Sequence, residues 1–156
     1  MKLGIDFGRT RTVVAIADRG NYPVVSFQTE TGDVLQWYPA LIAARGEEVL
    51  SGLDAVACQY EPGWSFLRSL KPLLAELGAD SLIPIGEKSF PVLDLLSDYL
   101  TSLRKDLVDR SNTEIRPQEP LEVIVAAPAN ANSNQRFLTL EGFRRAGFRV
   151  VGMINE

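Results

Sequence analysis

Four stretches of this 156-residue chain carry residue types that do chemistry. The first is Gly4-Ile5-Asp6-Phe7-Gly8-Arg9-Thr10-Arg11-Thr12. Read with the two-residue period of a strand, Leu3, Ile5 and Phe7 share one face, and Gly4, Asp6 and Gly8 share the other. Strand glycines pack nothing and cost entropy, and a lone carboxylate is expensive to bury unpaired. The pattern fits a backbone that a ligand must approach closely. N–H groups of the following turn can cradle phosphate oxygens, and a hydroxyl of Thr10 or Thr12 can add a donor. Asp6 can hold Mg²⁺ through waters, because Mg²⁺ keeps several waters and takes few carboxylates. The plainer alternative is a hairpin whose aspartate caps the turn.

The second stretch is Ser69-Leu70-Lys71-Pro72. A lysine among apolar residues can reach into a cleft and hold a phosphate or a water; the alternative is a solvated lysine on a helix. The third runs from Ala127-Pro128 through Asn130, Asn132, Ser133 and Asn134 to Gln135-Arg136. There a buried strand ends at a proline and a helix begins, the place where ligands gather in α/β sheets. Its alternative is a capping region with Asn132 or Ser133 as N-cap. The fourth is Ile154-Asn155-Glu156, a carboxylate at the carboxyl end of a strand.

The elements that must position these residues follow from pattern. Residues 2–8 read as a strand, Gly8–Arg11 as a turn and Thr12–Asp18 as a partner strand, with Pro23–Gln28 as the third strand of an antiparallel meander. Val34–Ala44 reads as two short strands or an edge strand broken at Pro39. Glu48–Tyr60 reads as a strand and then a helix from about Leu53, Phe66–Leu77 as helical around Pro72, and Gly78–Pro91 as a loop or hairpin. Pro91–Arg110 is an amphipathic helix, with Val92, Leu95, Leu96, Tyr99, Leu103 and Leu107 at helical spacing and Pro91 in its first turn. After a polar linker, Leu121–Ala127 has the continuous apolar run of a buried strand. Ser133–Ala146 is a helix stopped by Gly147, and Arg149–Ile154 is a strand. The last three form a βαβ unit with parallel strands. The expected fold is α/β: a mixed sheet with an antiparallel meander and a closing βαβ unit, plus an inserted second subdomain.

Composition bounds the function. The net charge of −4 argues against a broad nucleic-acid interface. The chain has no histidine, which removes imidazole as base or metal ligand. A single cysteine, Cys58, allows no intrachain disulfide and suits a reducing compartment. No leader pattern and no apolar run of membrane-spanning length is seen, so the expectation is a cytoplasmic protein without a membrane partner. A chain ending directly after a core strand reads as a piece of something longer.

Together and in this order, the four stretches resemble the N-terminal part of the seventy-kilodalton heat-shock chaperones, the DnaK type. "GIDFGRTRTVVAI" is similar to that family's first phosphate loop and "SLKPLL" to its catalytic-lysine segment. "APANANSNQR" matches Pro-Ala-x-x-Asn-x-x-Gln-Arg at every fixed position, and "RRAGFRVVGMINE" resembles the stretch that ends Ile-Asn-Glu. The resemblance implies an actin-like, ribonuclease-H-like ATPase fold. Residues 1–35 and 115–156 would be the base subdomain of its first lobe, and residues 36–114 an inserted upper subdomain. It implies ATP or ADP with Mg as ligands. Asp6 would hold the water shell of the metal, and Gly8, Arg9, Thr10 and Arg11 would wrap the phosphates. Lys71 would position the attacking water and stabilise charge, and Glu156 would orient water and metal. Pro128 and Arg136 would relay nucleotide state to a peptide-binding domain, and the partners would be unfolded client peptides and co-chaperones met through parts beyond this chain.

Two departures stand out. Arg9 replaces a small hydroxyl residue of the family pattern, and Arg11 replaces a tyrosine or asparagine. Either guanidinium can bind phosphate bidentately or crowd the loop. With no second phosphate loop or adenosine pocket in these 156 residues, the chain alone is expected to show no appreciable ATPase. The rival readings are a sugar kinase or filament protein of the same superfamily, and a non-catalytic interaction module that keeps the fold.

Overall fold

The alternation of Leu3, Ile5 and Phe7 with Gly4 and Asp6 is realised in the first strand of the computed structural model, which describes residues 1–156. β1 (Lys2–Phe7) buries those three apolar side chains and leaves Asp6 exposed. β2 (Arg11–Ile16) pairs with it antiparallel, with Asp6 opposite Val13 and Phe7 opposite Thr12. Pro23–Gln28, expected as a third strand, follows β2 without a regular ladder. Ile16 N donates to Pro23 O at 3.0 Å and Val25 N to Val14 O at 2.8 Å. Only β3 (Phe27–Gln28) is strand, and it pairs with β4 (Val34–Leu35). Pro23 has no N–H to give to a ladder, which keeps the segment irregular. The neighbour of β2 in the sheet is instead β5 (Tyr38–Pro39).

Next comes β6 (Ile42–Arg45), flanked by β7 (Glu48–Ser51) and β8 (Ser65–Leu67) in a three-stranded sheet, with the short α1 (Leu53–Ala57) beside it. The expected helix around Pro72 is shorter and tighter than its apolar pattern suggests. It is a 3-10 helix, Lys71–Ala75, because the chain leaves β8 only at Leu67 and Pro72 enters the first turn. β9 (Leu82–Ile85) and β10 (Lys88–Pro91) form the hairpin expected over 78–91.

α2 (Val92–Asp109) follows β10 at once, with Pro91 at the N-cap. Pro91 has no side chain to cap with. Backbone carbonyls serve instead: Val92 N donates to Ser81 O at 2.9 Å and Leu93 N to Ala79 O at 3.4 Å. The apolar stripe of α2 lies on the sheet: Leu96, Leu100, Leu103 and Leu107 join Leu3, Ile5, Val123 and Val125 in one core. β11 (Glu122–Ala127), α3 (Ser133–Arg145) and β12 (Arg149–Asn155) close the chain, and β11 and β12 are parallel. Gly147 stops α3 at φ +90°, a conformation that an L side chain seldom adopts. α3 meets α2 at Gly142, where an added Cβ would come within 2.6 Å of the Leu96 side chain.

The result is a mixed five-stranded sheet in the order β12-β11-β1-β2-β5, within a mixed α/β architecture. One expectation fails on β11: its apolar run is buried on one face only. Val123 and Val125 are enclosed, whereas Ile124 is 43% exposed. Gly4 pairs with Ile124 and Asp6 with Ala126, so Ile124 lies on the same open side as the glycines. Beneath the sheet, Phe27, Tyr38, Tyr99 and Phe7 form an aromatic file with ring centroids 5.2–5.9 Å apart. Tyr38 Oη donates to the buried Asp106 carboxylate at 2.7 Å, and Arg110 joins that residue to Asp54 on α1. A smaller cluster of Leu41, Ala43, Ala55 and Cys58 fills the three-stranded sheet, where the thiol is buried and donates to Ala55 O.

Candidate functional site

Three residues from distant parts of the chain meet at the carboxyl ends of β1 and β12. Lys71 Nζ donates to Glu156 Oε1 at 2.7 Å. The Asp6 carboxyl is pushed above its usual range by partial burial and by the neighbouring Glu156 carboxylate, and Lys71 offsets part of that rise. The lysine and the glutamate are 85 positions apart in the sequence. The lysine is not on a solvated helix face; it is buried at the start of the 3-10 helix. Glu156 is fixed through its backbone, its N–H donating to Ala127 O at 2.7 Å.

Beside this trio lies the turn between β1 and β2. Gly8 N donates to Arg11 O at 3.0 Å and closes it. A Cβ on Gly8 would fall 2.5 Å from that same oxygen, so the turn requires glycine there. The amides of Arg9 and Thr10 make no hydrogen bond to the protein. Ser69 Oγ donates to Arg9 O at 2.8 Å, which ties the turn to the segment carrying Lys71. Arg11 falls on the outward face of β2, shared with Val13 and so with Asp6, and its guanidinium lies 4.8 Å over the Trp37 ring. Arg9 is exposed. Thr12 is not a free donor: it is fully buried, and its hydroxyl shares a 2.9 Å hydrogen bond with Tyr99 Oη. On β1 itself the face that holds Asp6 is bare at Gly4, where nothing lies within 4 Å of an added Cβ.

Pro128 and Arg136 are in direct contact. Arg136 donates from Nη2 to Pro128 O at 3.4 Å and to Asn155 Oδ1 at 3.1 Å, and from Nε to Ala131 O at 3.3 Å. Asn132 is the N-cap, accepting from Gln135 N at 2.8 Å. The hollow lined by Phe7, Lys71, Pro128 and Arg136 encloses about 10 Å³, room for no more than a water. A larger ligand would lie against the open face and not inside the chain. A groove of about 330 Å³ lined by Arg104, Lys105 and Pro117 lies elsewhere, on the surface of α2.

Sequence reasoning missed Ser69, Trp37, Tyr99 and Asn134 as supports of this site. Tyr99 was legible only as a core position, and the bonds of Ser69 to Arg9 O and of Asn134 to Leu74 O and Leu77 O go to backbone carbonyls, which leave no residue pattern. The trio and the turn suit a metal–phosphate group. Two adjacent carboxyls attract a cation, unpaired amides and an ammonium attract phosphate oxygens, and bare backbone lets both approach.

Along nearly its whole length the chain is similar to the DnaK-type chaperones. It is 27% identical over 154 residues to the chaperone protein DnaK of Mycoplasmopsis synoviae, covering 99% of this chain and 24% of that protein. The same identity and coverage hold for DnaK of Mesomycoplasma hyopneumoniae strain 232. DnaK of Thermosipho melanesiensis is 27% identical over 160 residues, again with 99% and 24% coverage. The resemblance carried by the four motifs is thus matched across the chain, which spans about a quarter of the length of these relatives. No family model matches the chain.

Proposed function

We propose that this chain forms one wall of the ATP- and Mg²⁺-binding site of a DnaK-type molecular chaperone, on a ribonuclease-H-like, actin-like ATPase fold. The observation that carries the reading is the meeting of Asp6, Lys71 and Glu156 beside a bare strand face and a turn with unpaired amides. Asp6 would hold the hydrated metal, and Gly8, Arg9, Thr10 and Arg11 would bind phosphate oxygens. When bound, the metal supplies charge neutralisation at the phosphates. The chain's own residues do the rest. Lys71 has three N–H donors and gives one to Glu156, so two remain for a water and a γ-phosphate oxygen. Glu156 fixes the ammonium and orients a water. Hydrolysis of this kind needs positioning and electrostatic stabilisation, with no covalent intermediate.

Residues 1–35 and 115–156 would act as the base and 36–114 as the inserted upper unit, with α2 as the joint because its apolar stripe packs on the base sheet. Pro128 and Arg136 would sense the site through Asn155 and pass its state to a client-binding domain. Client peptides and co-chaperones would then be met by that longer protein, in the cytoplasm.

Nucleotide titration and phosphate release in the whole protein test this. Mg²⁺-dependent ATP binding is expected, weakened by Asp6→Asn, with turnover lowered ~10²–10³-fold by Lys71→Ala. No nucleotide binding would favour the non-catalytic module. The 156-residue chain by itself should hydrolyse no ATP at a measurable rate; robust turnover from it would refute the one-wall account.

A further inference from the structure

We propose that Asn134 is a positioning residue that sets Lys71 against Glu156, an inference that rests on the function proposed above. Lys71 sits on a five-residue 3-10 helix. So short a helix leaves its last carbonyls without partners of its own. Two of them, and the carbonyl of Leu77 just beyond the helix, are taken up from α3. Asn134 Nδ2 donates to Leu74 O at 2.9 Å and to Leu77 O at 2.7 Å. Asn132 Nδ2 donates to Ala75 O at 2.8 Å. Asn132 also caps α3, so it serves two purposes, whereas Asn134 has no part in capping and spends both amide hydrogens on this brace.

The other half of the pair is held by the same helical turn. Two residues beyond Asn134, Arg136 donates to Asn155 Oδ1, and Asn155 adjoins Glu156. One turn of α3 therefore grips the carriers of both charges. The 2.7 Å contact between them depends on the register of the 3-10 helix with the end of β12. Asn134 touches neither charge; it fixes where one stands relative to the other.

Two variants and a control test this. Asn134→Asp keeps the shape but removes both donor hydrogens and sets a carboxylate against two carbonyl oxygens. Asn134→Ala is milder, because water can reach the freed carbonyls. Leu103→Ala removes packing from the fully buried core and leaves the brace intact. In the nucleotide-free chain, the NζH₃⁺ resonance of Lys71, slowed in exchange by its ion pair, should be seen in the parent and in Leu103→Ala. It should be lost in both Asn134 variants, and its retention there overturns the proposal. In the whole protein, Asn134→Asp should lower kcat for ATP hydrolysis by ~10- to 100-fold, the scale of an ångström-sized misplacement, while KM stays within about twofold. An equal loss in Leu103→Ala would reduce Asn134 to a structural residue. If the parent hydrolyses no ATP, the proposed function fails, and the lysine resonance still decides the positioning role.

Discussion

The contact between Lys71 and Glu156 can be weighed by a double-mutant cycle of Lys71→Met, Glu156→Gln and the pair together, read by urea unfolding of the nucleotide-free chain. The charges are 2.7 Å apart. At that distance the attraction is ~6 kcal/mol for an effective dielectric constant of about 20 and ~1.5 kcal/mol in bulk water. The lysine side chain is 10% exposed and the glutamate 35%, so solvent screens one partner far more than the other. Holding two long side chains in one geometry opposes the gain, which leaves an expected coupling of about 1–3 kcal/mol. Salt should weaken that coupling only in part, because the ammonium is enclosed. In Lys71→Met the Asp6 carboxyl should titrate higher still, since the cation that offsets Glu156 is gone. A coupling below about 0.5 kcal/mol, in the range of an ordinary surface pair, would mean that the ammonium is not held in place. Lys71 would then be free to leave the position that its proposed role requires.

Asp6→Asn should change the pH dependence of stability. The folded state raises the carboxyl above its ordinary 3.8, so it keeps its proton to higher pH than the unfolded chain does. The stability linked to this group is therefore full below 3.8 and is lost as pH rises through the folded value. The unfolding free energy of Asp6→Asn minus that of the parent should grow from pH 3 to pH 7; a flat difference would refute the shift. Gly4→Val should raise stability by about 0.5–1 kcal/mol, because the position is in a strand and open, yet it should weaken MgATP binding in the whole protein by covering the bare face. Unchanged affinity would remove Gly4 from the site.

What could be read in advance was what local pattern encodes. The two-residue alternation in β1 separated Asp6 from the core, helical spacing marked α2, and the strand-helix-strand run gave β11, α3 and β12. Asn132 and Gly147 bound α3 as cap and stop because both roles are played out within a few residues. What could not be read depends on distant partners. Thr12 looked like a free hydroxyl because nothing local reveals Tyr99 beneath it. Pro23–Gln28 has strand composition, but its irregularity comes from the way Pro23 meets β2. The burial of Lys71 depends on α3 holding the 3-10 helix down, a tertiary effect invisible in Ser69-Leu70-Lys71-Pro72.

The braces explain why a site can be ordered before any ligand arrives. The turn after β1 is tied to the lysine segment by Ser69, the lysine segment to α3 by Asn132 and Asn134, and α3 to the end of β12 by Arg136. Three carriers that are far apart in sequence are thus linked in series, and each link is a hydrogen bond to a backbone atom or to a side chain next to the charged residue. Fixing the charges this way moves their ordering cost into folding, so that under the proposed function none of it would fall on the reacting step. The same arrangement leaves Asp6 and Glu156 close together with one ammonium, paired to Glu156, to offset them, which is unfavourable until a second cation is present. A hydrated divalent ion would relieve that excess of negative charge, and an anionic ligand would balance the positive charge the ion leaves. On that reasoning metal and phosphate should bind this wall cooperatively, with either one alone bound more weakly.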